Sequence, residues 1–89
     1  MASLPVPAQT YFNDFSFDLM EYVIKRDSKS IGSFQGLPNK DESGKHIAFL
    51  MDAAIKSEDV LISGNISFVV KSVDYDTYNG KPELIKAYF

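Results

Sequence analysis

The chain has no cysteine and no tryptophan, a single histidine, and only five glycines and four prolines in 89 residues. Without cysteine there is no disulfide framework and no thiolate metal centre, and His46 alone does not make a histidine-based zinc set. Cationic residues are also scarce: nine Lys and Arg stand against twelve Asp and Glu, for a net charge of −3. A protein that grips DNA displaces phosphate counterions with a surplus of cations, so nucleic-acid binding is disfavoured. The one basic pair, Lys25-Arg26, is followed at once by Asp27. Passing DNA without holding it suits this charge. No apolar run approaches the roughly 18 residues that cross a bilayer. The opening residues lack a basic n-region and carry Pro5 and Pro7, which disfavours a signal peptide and leaves the cytoplasm as the expected compartment.

What is present is aromatic. Five Tyr and seven Phe supply large buried areas in a chain that is 45% hydrophobic, which suits a thin β core or an adhesive surface. The length fits one small domain, whose core contributes no more than roughly 3–5 kcal/mol of net stability unaided. With no disulfide or zinc to help, association with other subunits is the remaining common remedy.

The strongest local pattern lies in the last third. Val60 to Ser63 and Ile66 to Val73 flank the turn Gly64-Asn65, and a further strand, Glu83 to Phe89, follows Asn79-Gly80. Three β-rich runs separated by glycine turns predict a meander. Apolar groups at Ile66, Phe68 and Val70, with Val69 and Val73 opposite, predict a central strand covered on both sides. In the last strand Leu84, Lys86 and Tyr88 oppose Ile85, Ala87 and Phe89, and Phe89 is expected to pair into the sheet or dock on a neighbour.

Upstream, residues 1–9 read as an extended, flexible tail. Phe12, Phe15 and Leu19 are spaced as a helical stripe with Thr10 as its cap, yet Phe15-Ser-Phe17-Asp-Leu19 alternates as a strand would. A short helix around 10–15 and a strand over 19–26 reconcile the two. Residues 25–30 are turn-like and Ile31 to Phe34 is a short strand. Gly36 to Lys45 is a polar loop marked by Leu-Pro-Asn and Glu-Ser-Gly. A strand from His46 to Met51 follows, then one helical turn over Asp52 to Ile55. The expected fold is mainly β with one short helical segment, a small antiparallel β-barrel or sandwich built on the C-terminal meander.

No constellation carries chemistry. An EF-hand loop starting at Asp74 needs an oxygen ligand at its fifth position, glycine at its sixth and glutamate at its twelfth. Tyr78, Asn79 and Ile85 stand there. Asn79-Gly80 reads more simply as a hairpin turn. The glycines form no phosphate-cradling motif, and no Ser/His/Asp spacing marks a nucleophile. No catalytic residue, cofactor or metal is expected. The candidate interface residues are Leu37, Asn39, Lys40, Asp41 and Glu42 of the polar interval, Tyr75 and Tyr78 beside the hairpin, and Phe89. Tyr75 and Tyr78 are either interface anchors or core-edge residues.

Over residues 30–89 the order of segments resembles the head–tail joining (head-completion or connector) proteins of tailed bacteriophages and prophages. The residues that carry the resemblance are Ala48-Phe-Leu50, Ile55-Lys-Ser-Glu-Asp59, Val60-Leu-Ile62 and Gly64-Asn-Ile-Ser-Phe68-Val-Val70. Asp74-Tyr-Asp76 and Glu83-Leu-Ile-Lys-Ala87 complete it, with Ile31-Gly-Ser-Phe-Gln-Gly-Leu-Pro-Asn39 upstream. Members usually carry glycine just before the aspartate that opens the strand, where this chain has Glu58. The proline-containing aromatic N-terminal segment has no counterpart. The resemblance implies a small β-barrel whose copies form a homo-oligomeric ring between a portal or adaptor protein and a tail-completion protein. It implies host cytoplasm during assembly and the virion head–tail junction afterwards, with no membrane and no specific nucleic-acid binding. The family's loop that orders on assembly corresponds to Gly36–Lys45. Two other classes stay open: a small cytoplasmic adaptor that binds one protein through a sheet edge, and a small enzyme or ligand-binding barrel using His46 with Asp41 or Glu42, which requires a concave pocket around His46.

Overall fold

The computed structural model describes residues 2–89. In chain order the elements are β1 (Ala2–Ser3), α1 (Ala8–Asp14), a 3-10 turn (Ser16–Asp18), β2 (Met20–Arg26), β3 (Lys29–Asp41) and β4 (Gly44–Leu50). A second 3-10 turn (Met51–Ala53), β5 (Val60–Ser63), β6 (Ile66–Val69), β7 (Ser72–Tyr78) and β8 (Lys81–Tyr88) complete it. The strands form one sheet in the order β1-β7-β8-β4-β3-β2-β5-β6. Seven of them are antiparallel and curl into a half-barrel; the two-residue β1 pairs parallel to β7. The mainly-β, one-short-helix expectation holds.

The curl depends on β3. Its first part, up to Gly36, pairs with β2, and Leu37 to Asp41 pair with β4. At the handover a Cβ on Gly36 would sit 2.5 Å from Ile47 Cγ2 and 2.9 Å from Phe49 Cε1. Only glycine lets the strand lie this close to the core. The polar loop expected over Gly36–Lys45 is therefore corrected to the end of β3, the two-residue turn Glu42-Ser43 and the start of β4. Leu-Pro-Asn misled because proline signals a turn by composition. Here Pro38 lies where β3 has a neighbour on its β4 side only, and a sheet margin tolerates a missing N–H.

The meander also needs correction. The Ile66–Val73 run is not one central strand but two segments broken by a corner at Val70-Lys71. Glu58 N–H donates to Val70 O (2.7 Å), Val70 N–H to Asp59 O (2.8 Å), and Lys71 N–H to Tyr88 O (2.7 Å). Successive residues of an extended chain point their amides to opposite sides. The corner is thus flanked by the β5 approach on one edge and by β8 on the other. β6 becomes an end strand, and the last third holds four strands rather than three. Asn79 (φ 52°) and Gly80 (φ 78°) form the expected hairpin turn.

Asp59 clamps the corner. Its carboxylate accepts Arg26 Nε (2.9 Å) and Nη2 (2.8 Å) and the Lys56 backbone N–H (2.9 Å), while Arg26 Nη2 also donates to Ala54 O (3.0 Å). Burial by itself would raise the Asp59 pKa, but these hydrogen bonds and the Arg26 charge hold it below the usual carboxylate range. The preceding residue, Glu58, adopts φ 76°, a left-handed conformation that favours glycine.

Side chains sort by alternation. Tyr22, Ile24, Ile47, Phe49, Leu61 and Ile85 fill the concave interior, with Ala53 and Ile55 closing one end. On the outer face Ala48 and Leu84 carry Ala8 and Phe12 of α1. The helix starts at Ala8 with Pro7 before it and no side-chain cap, so Thr10 is not the cap. Ala8 N–H donates instead to Glu83 Oε1 (3.0 Å). Residues 2–4, expected to be a free tail, are docked on β7: Ala2 and Ser3 pair with Asp76 and Thr77, and Leu4 N–H donates to Thr77 O (2.6 Å). Met1 lies outside the described residues.

Candidate functional site

Beside α1 the outer face carries a polar row. Alternation puts His46 on the same face of β4 as Ala48, and Lys86 and Tyr88 on the same face of β8 as Leu84. The register sets His46 opposite Tyr88, Ala48 opposite Lys86, and Asn39 opposite His46. Asp76 of β7 and Asp41 of β3 complete the row. Tyr88 OH donates to Asp41 Oδ2 (2.7 Å), and Lys86 Nζ lies 3.5 Å from the same oxygen and 3.2 Å from Asp76 Oδ1. His46 Nδ1 lies 3.7 Å from Asp41 Oδ2 and 3.4 Å from Gly44 O. Asp41 Oδ1 accepts the Ser43 N–H (2.8 Å) across the turn. Between this row and the aromatic side of α1 runs a groove of about 450 Å³, walled by Tyr11, Phe12 and Phe15 on one side and by His46, Asp41, Asp76 and Lys86 on the other, so the concave pocket around His46 that a ligand-binding barrel requires is present.

The electrostatics show what this row is suited to. The hydrogen bond from Tyr88 is the main force holding Asp41 below the usual carboxylate range. Burial, then the Asp41 bond, pushes the Tyr88 phenol up. Burial opposes the charge on Lys86, but Asp76 outweighs it and the ammonium is held above its ordinary value. All three move away from neutrality. A proton-transfer site tunes its groups towards the working pH; these three shift the other way, as an anion, a neutral phenol and a cation. His46 is 4% exposed and packs its ring 5.0 Å from that of Tyr88. Among the described residues no group of three or more His, Asp or Glu is placed to hold a metal ion, and no helix is long and apolar enough to cross a membrane.

The eight candidate interface residues divide. Leu37, Asn39 and Asp41 line the groove. Lys40 and Glu42 are exposed at the β3–β4 hairpin. Tyr75 and Phe89 pack against the interior cluster, Phe89 with its ring 4.2 Å from Phe68. Tyr78, at the end of β7, is half-buried. Tyr75 thus lies, half-buried, at the edge of the interior cluster, and Phe89 packs on its own chain. Asp41 approaches His46, whereas Glu42 stands exposed on the turn.

Sequence reasoning missed the exposed apolar groups. Ile66 and Val69 on β6 are 52% and 58% exposed, and Phe17, in the turn after α1, is 100% exposed. β6 pairs with β5 on one side only and ends the strand order. It carries no lysine, proline or bulge, and its one guard is its length of four residues. The signal available was the alternation in Ile66-Ser-Phe-Val69, which reads equally as a covered strand.

No known protein family, characterised protein or solved structure matches this chain.

Proposed function

We propose that the protein is a non-enzymatic contact module, a component that joins a phage head to its tail. In this reading its copies form a ring between a portal or adaptor protein and a tail-completion protein. The observation that carries the reading is the edge of β6, short but free of lysine, proline and bulge, with Ile66 and Val69 exposed along a strand that has no second neighbour among the described residues. An edge of this kind is a template for strand addition, in which main-chain hydrogen bonds give affinity and alternate side chains give selectivity. Three members of the polar row, Asp41, Tyr88 and Lys86, are held away from neutrality, which favours a non-catalytic role for them. The net charge of −3 supports a surface that DNA passes without adhering. The left-handed backbone at Glu58 is a further support, because the family it resembles usually has glycine at that place.

Size-exclusion chromatography with light scattering, and electron microscopy of the protein mixed with a portal ring from the same genome, test the proposal. A complex with added density on one face of the portal is expected. Failure to bind the portal, the tail-completion protein or a second copy of itself would sink it.

A further inference from the structure

We infer that the N-terminal segment, residues 2–15, is exchanged between copies of this chain, each copy seating its segment on the outer sheet face of a neighbour. The inference rests on the proposal that copies assemble, and it names the contact that links them.

The seat is defined by the segment that occupies it. β1 adds to β7, Leu4 N–H bonds Thr77 O, Ala8 N–H bonds Glu83, and Ala8 and Phe12 press on Ala48 and Leu84. Every one of these partners belongs to the sheet, so an identical copy offers the same seat. Exchange therefore keeps every contact between segment and sheet, loses only those within the hinge, and becomes a matter of concentration and hinge geometry.

The hinge is weakly held. Ser16–Asp18 is a 3-10 turn with no buried residue, and the Asp18 N–H to Phe15 O hydrogen bond (2.9 Å) helps to close it. Opened to extended backbone, residues 15–19 span about 15 Å, enough to carry the segment off its own sheet. Phe17 at the centre of this hinge is 100% exposed, a large apolar group for which the closed form has no use. The helix does not hold itself. At seven residues, uncapped by any side chain, it is well short of the length at which an isolated helix persists in water. Off one sheet, it regains its structure on another.

The absence of native cysteine makes the test clean. Ser3 and Thr77 are register partners, and neighbouring strands fall within disulfide reach. A Ser3→Cys copy is mixed with a Thr77→Cys copy at high concentration and oxidised, with Ser3→Cys plus Ser30→Cys as the collision control. Exchange predicts a covalent Ser3→Cys/Thr77→Cys dimer at least several-fold above the control; an adduct at the control level overturns it. A second variant removes Ser16–Asp18, which makes closure on the same copy impossible. It is expected to elute as a dimer or larger species, and elution as a monomer overturns the inference. Oligomers that form without the trans adduct leave the joining role standing and discard exchange. An adduct without portal binding does the reverse.

Discussion

Gly36 and Glu58 show how single residues shape this fold, in opposite senses. At Gly36 the backbone lies so close to Ile47 and Phe49 that an added methyl must displace one of two buried side chains. Overpacking of this kind costs about 1–3 kcal/mol. Gly36→Ala is expected to lower the urea midpoint correspondingly, and an unchanged midpoint would mean the strand shifts freely there. Glu58 is the converse case. Its φ of 76° strains an L-residue, and Glu58→Gly removes that strain while adding freedom to the unfolded chain. The balance is a gain of about 0.5–1 kcal/mol, measurable as a higher thermal midpoint.

At the scale of elements the two strands that matter most are β3 and β6. β3 is long because it serves two neighbours in turn, and the bend between them wraps the sheet around its core. β6 is short and has one neighbour. Charge at a strand edge discourages pairing with another chain. Val69→Lys, at an exposed position, is therefore expected to leave the circular dichroism spectrum and urea midpoint unchanged while abolishing portal binding or self-association. Retained binding would move the interface elsewhere on the surface.

For the whole molecule the relevant quantity is the dependence of stability on pH. Asp41 and Asp59 are both held below the ordinary carboxylate value, the first chiefly by Tyr88, the second against its own burial by Arg26 and Lys56. A lowered carboxylate contributes stability that is fully present above its unfolded value, about 4, and is lost as pH falls through the lowered one. The urea midpoint is expected to vary little between about pH 5 and 7 and to fall steeply below about pH 4. Asp59→Asn should lower the neutral-pH midpoint and flatten the acid limb. A limb as steep as that of the parent chain would locate the titrating groups elsewhere.

Local chemistry determined a good deal of this protein. Alternation in β8 separated Leu84, Lys86 and Tyr88 from Ile85, Ala87 and Phe89, and Asn79-Gly80 specified its hairpin, because both features depend only on backbone geometry and near neighbours. Residues 20–26 and 60–63 declared themselves as strands through β-branched and aromatic content. Tertiary structure decided the rest. Leu37 to Asp41 became strand because β4 offered them a ladder, overriding the turn signal of Pro38. The run from Ile66 to Val73 bent at Val70 because its amides found β5 on one side and β8 on the other. His46, Asp41, Lys86 and Tyr88 met because strand register, a non-local property, set them side by side. A periodic pattern tells which residues share a face; only the pairing of distant strands tells what that face meets.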